Sequence, residues 1–413
     1  MGPAGIALLH YTCPPFVGGV EEILDQQARV FLDHGHPVKV LAGRGGRMDG
    51  AYLVEINPFL DSRHPSILRI QRSIPDHRSE FRALVDALFR YLQHVLEGLD
   101  VLIAHNVLTM AYNLPLAHAL HQLADAQTTR IVAWNHDSPL FYPDPPAELN
   151  RTPWNILKRS HPSIRYIAIS ESRKKQFQSL YGRKTRIEVI PDGIDRFRFY
   201  EFDSQTLRII QECQLLESDL LMLQPSRLHP RKNIELSIRV LRALHDRGVK
   251  ARLLVTGAYD AHENKATRYY NKLRGLARSL EIDEYLLILA GHDFRSGEKP
   301  AGGGIKVKEL YFIADVLFLP SLHEGFGLPL LEAGLAKLPV FCSDIPPFIE
   351  IGENDISTFG LGDPPEQIAA QLLDFAARPG CLPLSRRVIR QYDWDKIYHS
   401  FLRPLICDLV ARP

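Results

Sequence analysis

Short apolar runs alternate with longer stretches of mixed polarity along nearly the whole chain. In the first half the runs fall at Gly5–Tyr11, Val38–Leu41, Tyr52–Ile56, Val101–His105, Ile131–Trp134 and Tyr166–Ile169. Most are continuous in Val, Ile and Leu, as strands covered on both faces require. Between them, segments such as Val20–Asp33, Ser79–Leu96 and Glu171–Tyr181 carry apolar residues at helical spacing. The alternation predicts an open, doubly wound sheet of parallel strands.

The segment Val189–Asp195 contains the turn signal Pro191-Asp192-Gly193, and beyond a polar stretch the same alternation starts again. Strands are expected at Leu220–Gln224, Arg252–Thr256, Tyr285–Leu289, Val316–Leu319 and Val340–Cys342. At 413 residues the chain is too long for one core. The fold expected is α/β, with two doubly wound Rossmann-like parallel-sheet domains, 1–195 and 196–391, facing a central cleft. Ligands of such sheets bind beyond the carboxyl ends of the strands. The last segment, Tyr392–Leu409, reads as an amphipathic helix.

Composition narrows the function. Hydrophobic residues at 45% and charged residues at 23% describe an ordinary globular chain. A net charge of +1 argues against nucleic acid as principal partner, because duplex binding draws on a basic surplus. The five cysteines are scattered without Cys-x-x-Cys spacing, which disfavours a disulfide framework or zinc cluster and suits a reducing compartment. Met1–Tyr11 reads as a first strand rather than a signal peptide, and no run approaches the roughly 20 apolar residues of a membrane span. A cytoplasmic protein is expected.

The strongest local signal is the run from Ser321 to Glu332, directly after an expected buried strand. Gly325 and Gly327 permit close backbone approach, and Pro329 suits the first turn of a helix. The N–H groups of Gly327 and Leu328, beside Phe326, would then face an anion along the helix dipole. Glu324 is placed to hold sugar hydroxyls, and Glu332, expected in the first helical turn, to hold two ribose hydroxyls. The plainer reading is a solvated loop acid and a glutamate favoured by the dipole. Directly after the strand candidate Leu220–Gln224, Pro225–Asn233 offers Arg227 and Lys232 around a tight loop, cations suited to a departing diphosphate, or else a solvated basic turn.

Two weaker signals lie in the first half. Gly18-Gly19, between the first strand and first helix, can bring amides to phosphates, although most such pairs are turns. His136, in Trp134-Asn135-His136-Asp137 at a strand end, can hydrogen-bond a sugar or developing charge, and His105-Asn106 is weaker still. Asn135 or Asp137 can instead simply cap the next segment. Asp393-Trp394-Asp395 has metal-transferase spacing but reads as a helix cap, and His34-Gly35-His36 as a turn rather than a metal site. Trp154–Arg159 is too short to carry a claim of peripheral membrane contact, which stays open.

Taken in order, these segments resemble the retaining glycosyltransferases of family four, which have the GT-B architecture. Glu324 and Glu332, with Gly-Phe-Gly-Leu-Pro between them, match the family's paired glutamates. Arg227 and Lys232 match its phosphate-binding pair, Gly18 and Gly19 its N-terminal loop, and Asp192-Gly193-Ile194-Asp195 its hinge turn; His136 matches its active-site histidine. The resemblance implies a nucleotide-diphosphate sugar held by the C-terminal domain. It implies a sugar, polyol, glycan or lipid-linked acceptor held by the N-terminal domain, a segment 392–413 that crosses back to that domain, and neither metal nor cofactor. The stretch from Ser296 to Gly304 is longer than the family's usual link and leaves the nucleobase undefined. A sugar-nucleotide epimerase, a phosphorylase and a catalytically silent binding subunit remain alternatives on the same fold. An NAD-dependent oxidoreductase is disfavoured, since no Gly-x-Gly-x-x-Gly follows the first strand.

Overall fold

A computed structural model describes residues 2–46, 50–257, 265–297, 306–377 and 387–411. The chain divides into two compact units, Met1–Asp195 with Arg390–Pro413, and Arg196–Ile389. The first holds seven strands: β1 (Ile6–Thr12), β2 (Val38–Arg44), β3 (Leu53–Ile56), β4 (Val101–His105), β5 (Arg130–Asn135), β6 (Ile164–Ala168) and β7 (Ile187–Val189). The second holds six: β8 (Leu220–Gln224), β9 (Ala251–Val255), β10 (Leu286–Ile288), β11 (Val316–Leu319), β12 (Val340–Ser343) and β13 (Ser357–Phe359). Every pairing within both sheets is parallel.

The sheet orders explain where ligands belong. In the first unit the order is β3-β2-β1-β4-β5-β6-β7, and in the second β10-β9-β8-β11-β12-β13. Each sheet grows outward from a central strand, then returns to that strand's other side. The reversals fall between β1 and β4, and between β8 and β11. Loops leaving such neighbours diverge and open a crevice at the carboxyl ends of the strands. The continuous apolar runs are buried on both faces: β4, β8, β11 and β12 are buried along their whole length.

The terminal helical segment belongs to the first unit's core. It runs through Trp394–Ile397, a π turn Tyr398–Leu402 and Arg403–Ala411. Trp394, Ile397, Tyr398 and Leu402 pack in one cluster with Ile6, Leu8, Phe31 and Val40. Asp393 caps its start, accepting from the Asp395 amide at 3.2 Å, so the capping reading holds for this residue. The helix starts two residues later than its pattern suggests because Tyr392 ends a separate π turn, Val388–Tyr392, and Asp393 is extended and bridged to Ile194, whose amide donates to the Tyr392 carbonyl at 2.7 Å. Gln26 Oε1 accepts both the Trp394 indole N–H, at 2.8 Å, and the Asp195 amide, at 2.9 Å. A Cβ on Gly193 would lie 2.6 Å from the Trp394 ring, so only glycine permits this contact.

Two expectations change. β13 escapes a reading based on apolar runs because it is only three residues long, Ser-Thr-Phe, and two of them are polar. Trp154–Lys158 is a 3-10 turn whose Leu157 is buried, while Trp154 and Ile156 pack against the core. Its apolar groups face inward, leaving little for a membrane surface. None of the described helices is long and apolar enough to cross a membrane.

Replacing Trp394 by Ala deletes a ring that is 3% exposed and removes one of the two donors to Gln26 Oε1. A loss of about 3–5 kcal/mol is expected, as for other buried aromatic truncations. Hydrogen exchange at β1 and at the first helix (Gly19–Asp33) checks it; unchanged protection would show that the terminal helix is dispensable to this core.

Candidate functional site

In the second unit the loops after β8 and β11 flank the strand-order reversal, and strand-end polar residues fix both. Gln224, fully buried at the end of β8, donates to the Lys232 carbonyl at 2.9 Å and accepts from Ser237 Oγ at 2.7 Å. This seats the short turn Pro230–Lys232, and Asn233, at φ 50°, opens the helix Ile234–Asp246. On the other loop, buried Ser321 accepts from Ser343 Oγ, at the end of β12, through its carbonyl at 2.7 Å. The Leu322 amide donates to the Arg231 carbonyl at 2.8 Å and ties the two loops together.

These backbones deliver a compact charge cluster. The Glu324 carboxylate is hydrogen-bonded by the Lys232 ammonium, by Arg231 Nη1 at 2.8 Å and by Ser321 Oγ at 2.8 Å. Arg231 also donates to the His323 carbonyl at 3.1 Å. The Lys232 and Glu324 side chains are only 13% and 11% exposed. Burial by itself would raise the Glu324 pKa, but the bonds from Lys232 and Ser321, the Lys232 charge and Arg231 outweigh it and hold the carboxyl below its usual value. Arg227 sits exposed on the same loop, its carbonyl accepting from the His229 amide at 3.0 Å. The guanidinium that meets Glu324 is therefore that of Arg231, which the sequence reading passed over; only its place beside Lys232 hinted at it.

Gly327, at φ +147°, precedes the helix Leu328–Ala336, and a Cβ there would approach Ile351 and Phe348 to 3.2–3.3 Å. Gly325 faces open space, while Phe326 and Leu328 expose 55% and 63% of their surface. Glu332 does not lie in the first turn as expected. The helix begins at Leu328, which puts Glu332 one turn further in, and its carboxylate accepts from the Tyr311 hydroxyl through Oε2. Burial and that carboxylate push the Tyr311 pKa up. Of the glycine-rich stretch that ends at Gly304, residues 298–305 lie outside the described residues.

The first unit gathers different chemistry at its own reversal. His10, near the end of β1, directs Nδ1 to the His105 carbonyl at 2.7 Å. Fully buried His105, ending β4, directs Nε2 to Gln27 Oε1 at 2.9 Å and Nδ1 to His136 Nε2 at 3.4 Å. Burial lowers the pKa of both His10, to about 4, and His105. A neutral His105 that donates to Gln27 from Nε2 turns an unprotonated Nδ1 toward His136. His136 Nδ1 lies 3.1 Å from Asp192 Oδ2, and Trp134 Nε1 donates to the other Asp192 oxygen at 3.0 Å.

His136 was expected to project toward ligand, yet it is 10% exposed and both ring nitrogens face protein partners. Asn106 shapes this strand end: its side-chain oxygen accepts from the amides of His136, at 3.2 Å, and Asp137, at 2.9 Å. Asp137 accepts from the Ser138 amide at 2.8 Å, but the next segment, the 3-10 turn Pro139–Phe141, is capped by Ser138, whose Oγ accepts from the Leu140 amide at 3.3 Å. The Asn135 amide is fully buried and has no partner among the described residues.

Gly18 and Gly19 open the first helix, but an added Cβ on Gly18 would lie 2.1 Å from the Glu21 carboxylate. That carboxylate, held by Thr12 Oγ1, occupies the neighbourhood expected to welcome a phosphate. Among the described residues, the one grouping of three His, Cys, Asp or Glu side chains close enough to share a metal ion is His34, Asp395 and His399, at the other end of that helix.

Residues 17–198 match the family described as Glycosyltransferase Family 4, and residues 207–391 the family described as Glycosyl transferases group 1. A mannosylglucosylglycerate synthase of Thermotoga maritima is 25% identical, with 98% of this chain and 99% of that protein aligned. A D-inositol 3-phosphate glycosyltransferase of Actinosynnema mirum is 29% identical over 44% of this chain and 41% of its own. Among solved structures, a sucrose-phosphate synthase of Thermosynechococcus elongatus aligns over 99% of this chain and 100% of that one, at 15% identity and a TM-score of 0.40.

The buried histidines set a pH dependence. The unfolded chain takes up a proton at His10 near pH 6.5, whereas the folded chain resists until about pH 4. Stability from this source is complete above pH 6.5 and drains away as pH falls toward 4, by about 3 kcal/mol. Protection of β1 and β4 amides, corrected for intrinsic exchange, should fall across that window. His10→Asn should flatten the fall, and a level wild-type profile would contradict it.

Proposed function

Because the chain belongs to the GT-B glycosyltransferases of family 4, we propose that it moves a hexose, with retention, from a nucleotide-diphosphate sugar to an acceptor hydroxyl. The observation that carries this reading is the cluster of Lys232, Arg231 and Glu324 at the strand-order reversal of the second unit. At rest the two cations share one carboxylate, which leaves the set with a net positive charge. A diphosphate that takes Lys232 and Arg231 frees the Glu324 carboxylate to accept from sugar hydroxyls, so no charge is left buried alone.

Charge grows on the leaving diphosphate as its bond to the anomeric carbon breaks. Lys232, Arg231 and Arg227, with the amides of Gly327 and Leu328, stabilise that charge more in the transition state than before it. The acceptor oxygen bonds to the anomeric carbon on the face the diphosphate leaves, and the hydroxyl proton passes to the diphosphate. Glu332 keeps one carboxylate oxygen for the ribose, while Tyr311 holds the other in place. Side-chain cations do the work that a metal does elsewhere, so the mechanism calls for none.

The acceptor, a hydroxyl of a sugar, polyol, glycan or lipid-linked saccharide, falls to the first unit. His136, fixed by Asp192 and His105, forms part of the polar lining there. This division matches the electrostatics: the first unit presents Glu21 and Asp192 near its strand ends, and the second presents paired cations. No feature of the site favours an epimerase, a phosphorylase or a silent binding subunit.

The test begins with a thermal-shift screen of uridine, guanosine and adenosine diphosphates and their hexose conjugates. A ligand at about 100 times its dissociation constant adds about 2.7 kcal/mol of stability. With the donor found, Lys232→Ala should lower kcat by roughly 10²–10³-fold, measured well below its melting temperature, which should also fall because Glu324 loses a largely buried partner. Undiminished turnover in that variant would refute the role given to Lys232.

A further inference from the structure

The end of the first helix and the start of the terminal helix bring together side chains 361 residues apart in sequence. His34 caps the first helix, and its Nε2 lies 3.0 Å from Asp395 Oδ1. Asp395 and His399 are spaced i,i+4, on one face of the terminal helix. His399 Nε2 lies 3.7 Å from the same Asp395 oxygen. That is too long for a hydrogen bond. It is close to the separation, about 3.4 Å, of neighbouring ligand atoms around a tetrahedral ion with bonds of about 2.1 Å.

Three further observations distinguish this group from a chance surface ion pair. The ligand atoms all lie within 4.8 Å of one another, as one shared ion requires. The His34 ring is held in orientation: it stacks on Tyr398 at 3.6 Å between centroids and 1° between planes. Tyr398 is itself buried and hydrogen-bonded to His36 Nε2 at 2.9 Å. Finally, His34 and His399 line an open depression of about 520 Å³, which gives an ion both an entry path and room for water at its remaining positions.

We propose that His34, Asp395 and His399 form a site for a zinc-class divalent ion that clamps the terminal helix to the first helix. Two imidazoles and one carboxylate suit zinc, cobalt, nickel or copper rather than calcium or magnesium, which take oxygen ligands. The site is structural and apart from glycosyl transfer, so it stands whether or not the donor assignment does. It also revises two readings made from sequence. His34-Gly35-His36 does form a turn, with Gly35 at φ +82°, and Asp393 does cap a helix. The ligand set takes one residue from each motif and a third, His399, that neither motif contains.

The experiment uses the full, tag-free chain, stripped with chelator and dialysed against zinc or cobalt. One equivalent should bind, cobalt should give visible ligand-field absorption, and zinc should raise the melting temperature. His399→Ala and Asp395→Asn alter side chains that are 52% and 60% exposed, so both should fold. Each should weaken binding at least tenfold and abolish the melting shift. His94→Ala, an 83% exposed histidine elsewhere, should bind like wild type. Failure of the wild type to take up zinc at 1 mM, which would leave an ion pair only, overturns the proposal. So does binding unaffected by either ligand variant.

Discussion

The constraint on which the second unit's site depends is the near-burial of one ammonium and one carboxylate, Lys232 and Glu324, on loops from adjacent strands. Charges that are 13% and 11% exposed must stay paired, because removing one partner strands the other in poor solvent. Their pairing is built in from the sheet. Gln224 fixes the Lys232 backbone, Ser343 fixes that of Ser321, and Leu322 bonds across to Arg231. The strand-order reversal supplies two diverging loops, and the strand-end polar residues convert that gap into a rigid placement of charge. Such placement needs no reorganisation when charge appears on a ligand, the usual source of electrostatic catalysis.

The first unit repeats the topology and furnishes it differently. Its reversal is lined by His10 and His105, whose burial keeps them neutral, and by the Glu21 and Asp192 carboxylates. An anion brought to the start of the first helix would meet Glu21 beside Gly18 before it met the amides. Neutral imidazoles and carboxylates hydrogen-bond hydroxyl groups well and diphosphates poorly. Two sheets of one design thus carry different polar and charged groups, through the residues at and after their strand ends.

Much of this was legible in the sequence because buried parallel strands are written as continuous apolar runs. The strands ending at Gln224, His105 and Leu319 emerge from pattern alone, and so do the loops that follow them. β13 was not legible, since pairing to β12 rather than composition makes Ser357–Phe359 a strand. Side-chain direction was the other blind spot. Arg227 and Arg231 are equivalent as cations in a loop, and only the turn Pro230–Lys232 decides which one reaches Glu324. Glu332 was expected in the first turn but is the fifth helical residue, just past it, because Pro329 marks a helix start without fixing which residue comes first. His136 reads as a free strand-end histidine until Asp192, fifty-six positions on by the numbering, is folded onto it.

The terminal segment shows why sequence distance is a poor guide here. Trp394, Ile397 and Leu402 complete a core begun at Ile6, with the whole second unit intervening along the chain. Closing so long a loop is entropically mild, since each doubling of length adds only about 0.6 kcal/mol. Burying each large apolar side chain gains about 1.5–3 kcal/mol. Three such side chains outweigh several doublings, so the contact is favourable despite its span. The first sheet's core nonetheless lacks one face until the last twenty or so residues dock, and Gly193 and Gln26 are shaped to receive them. The first unit is therefore completed by a segment that follows the second in the chain, and its stability is set at both ends of the sequence.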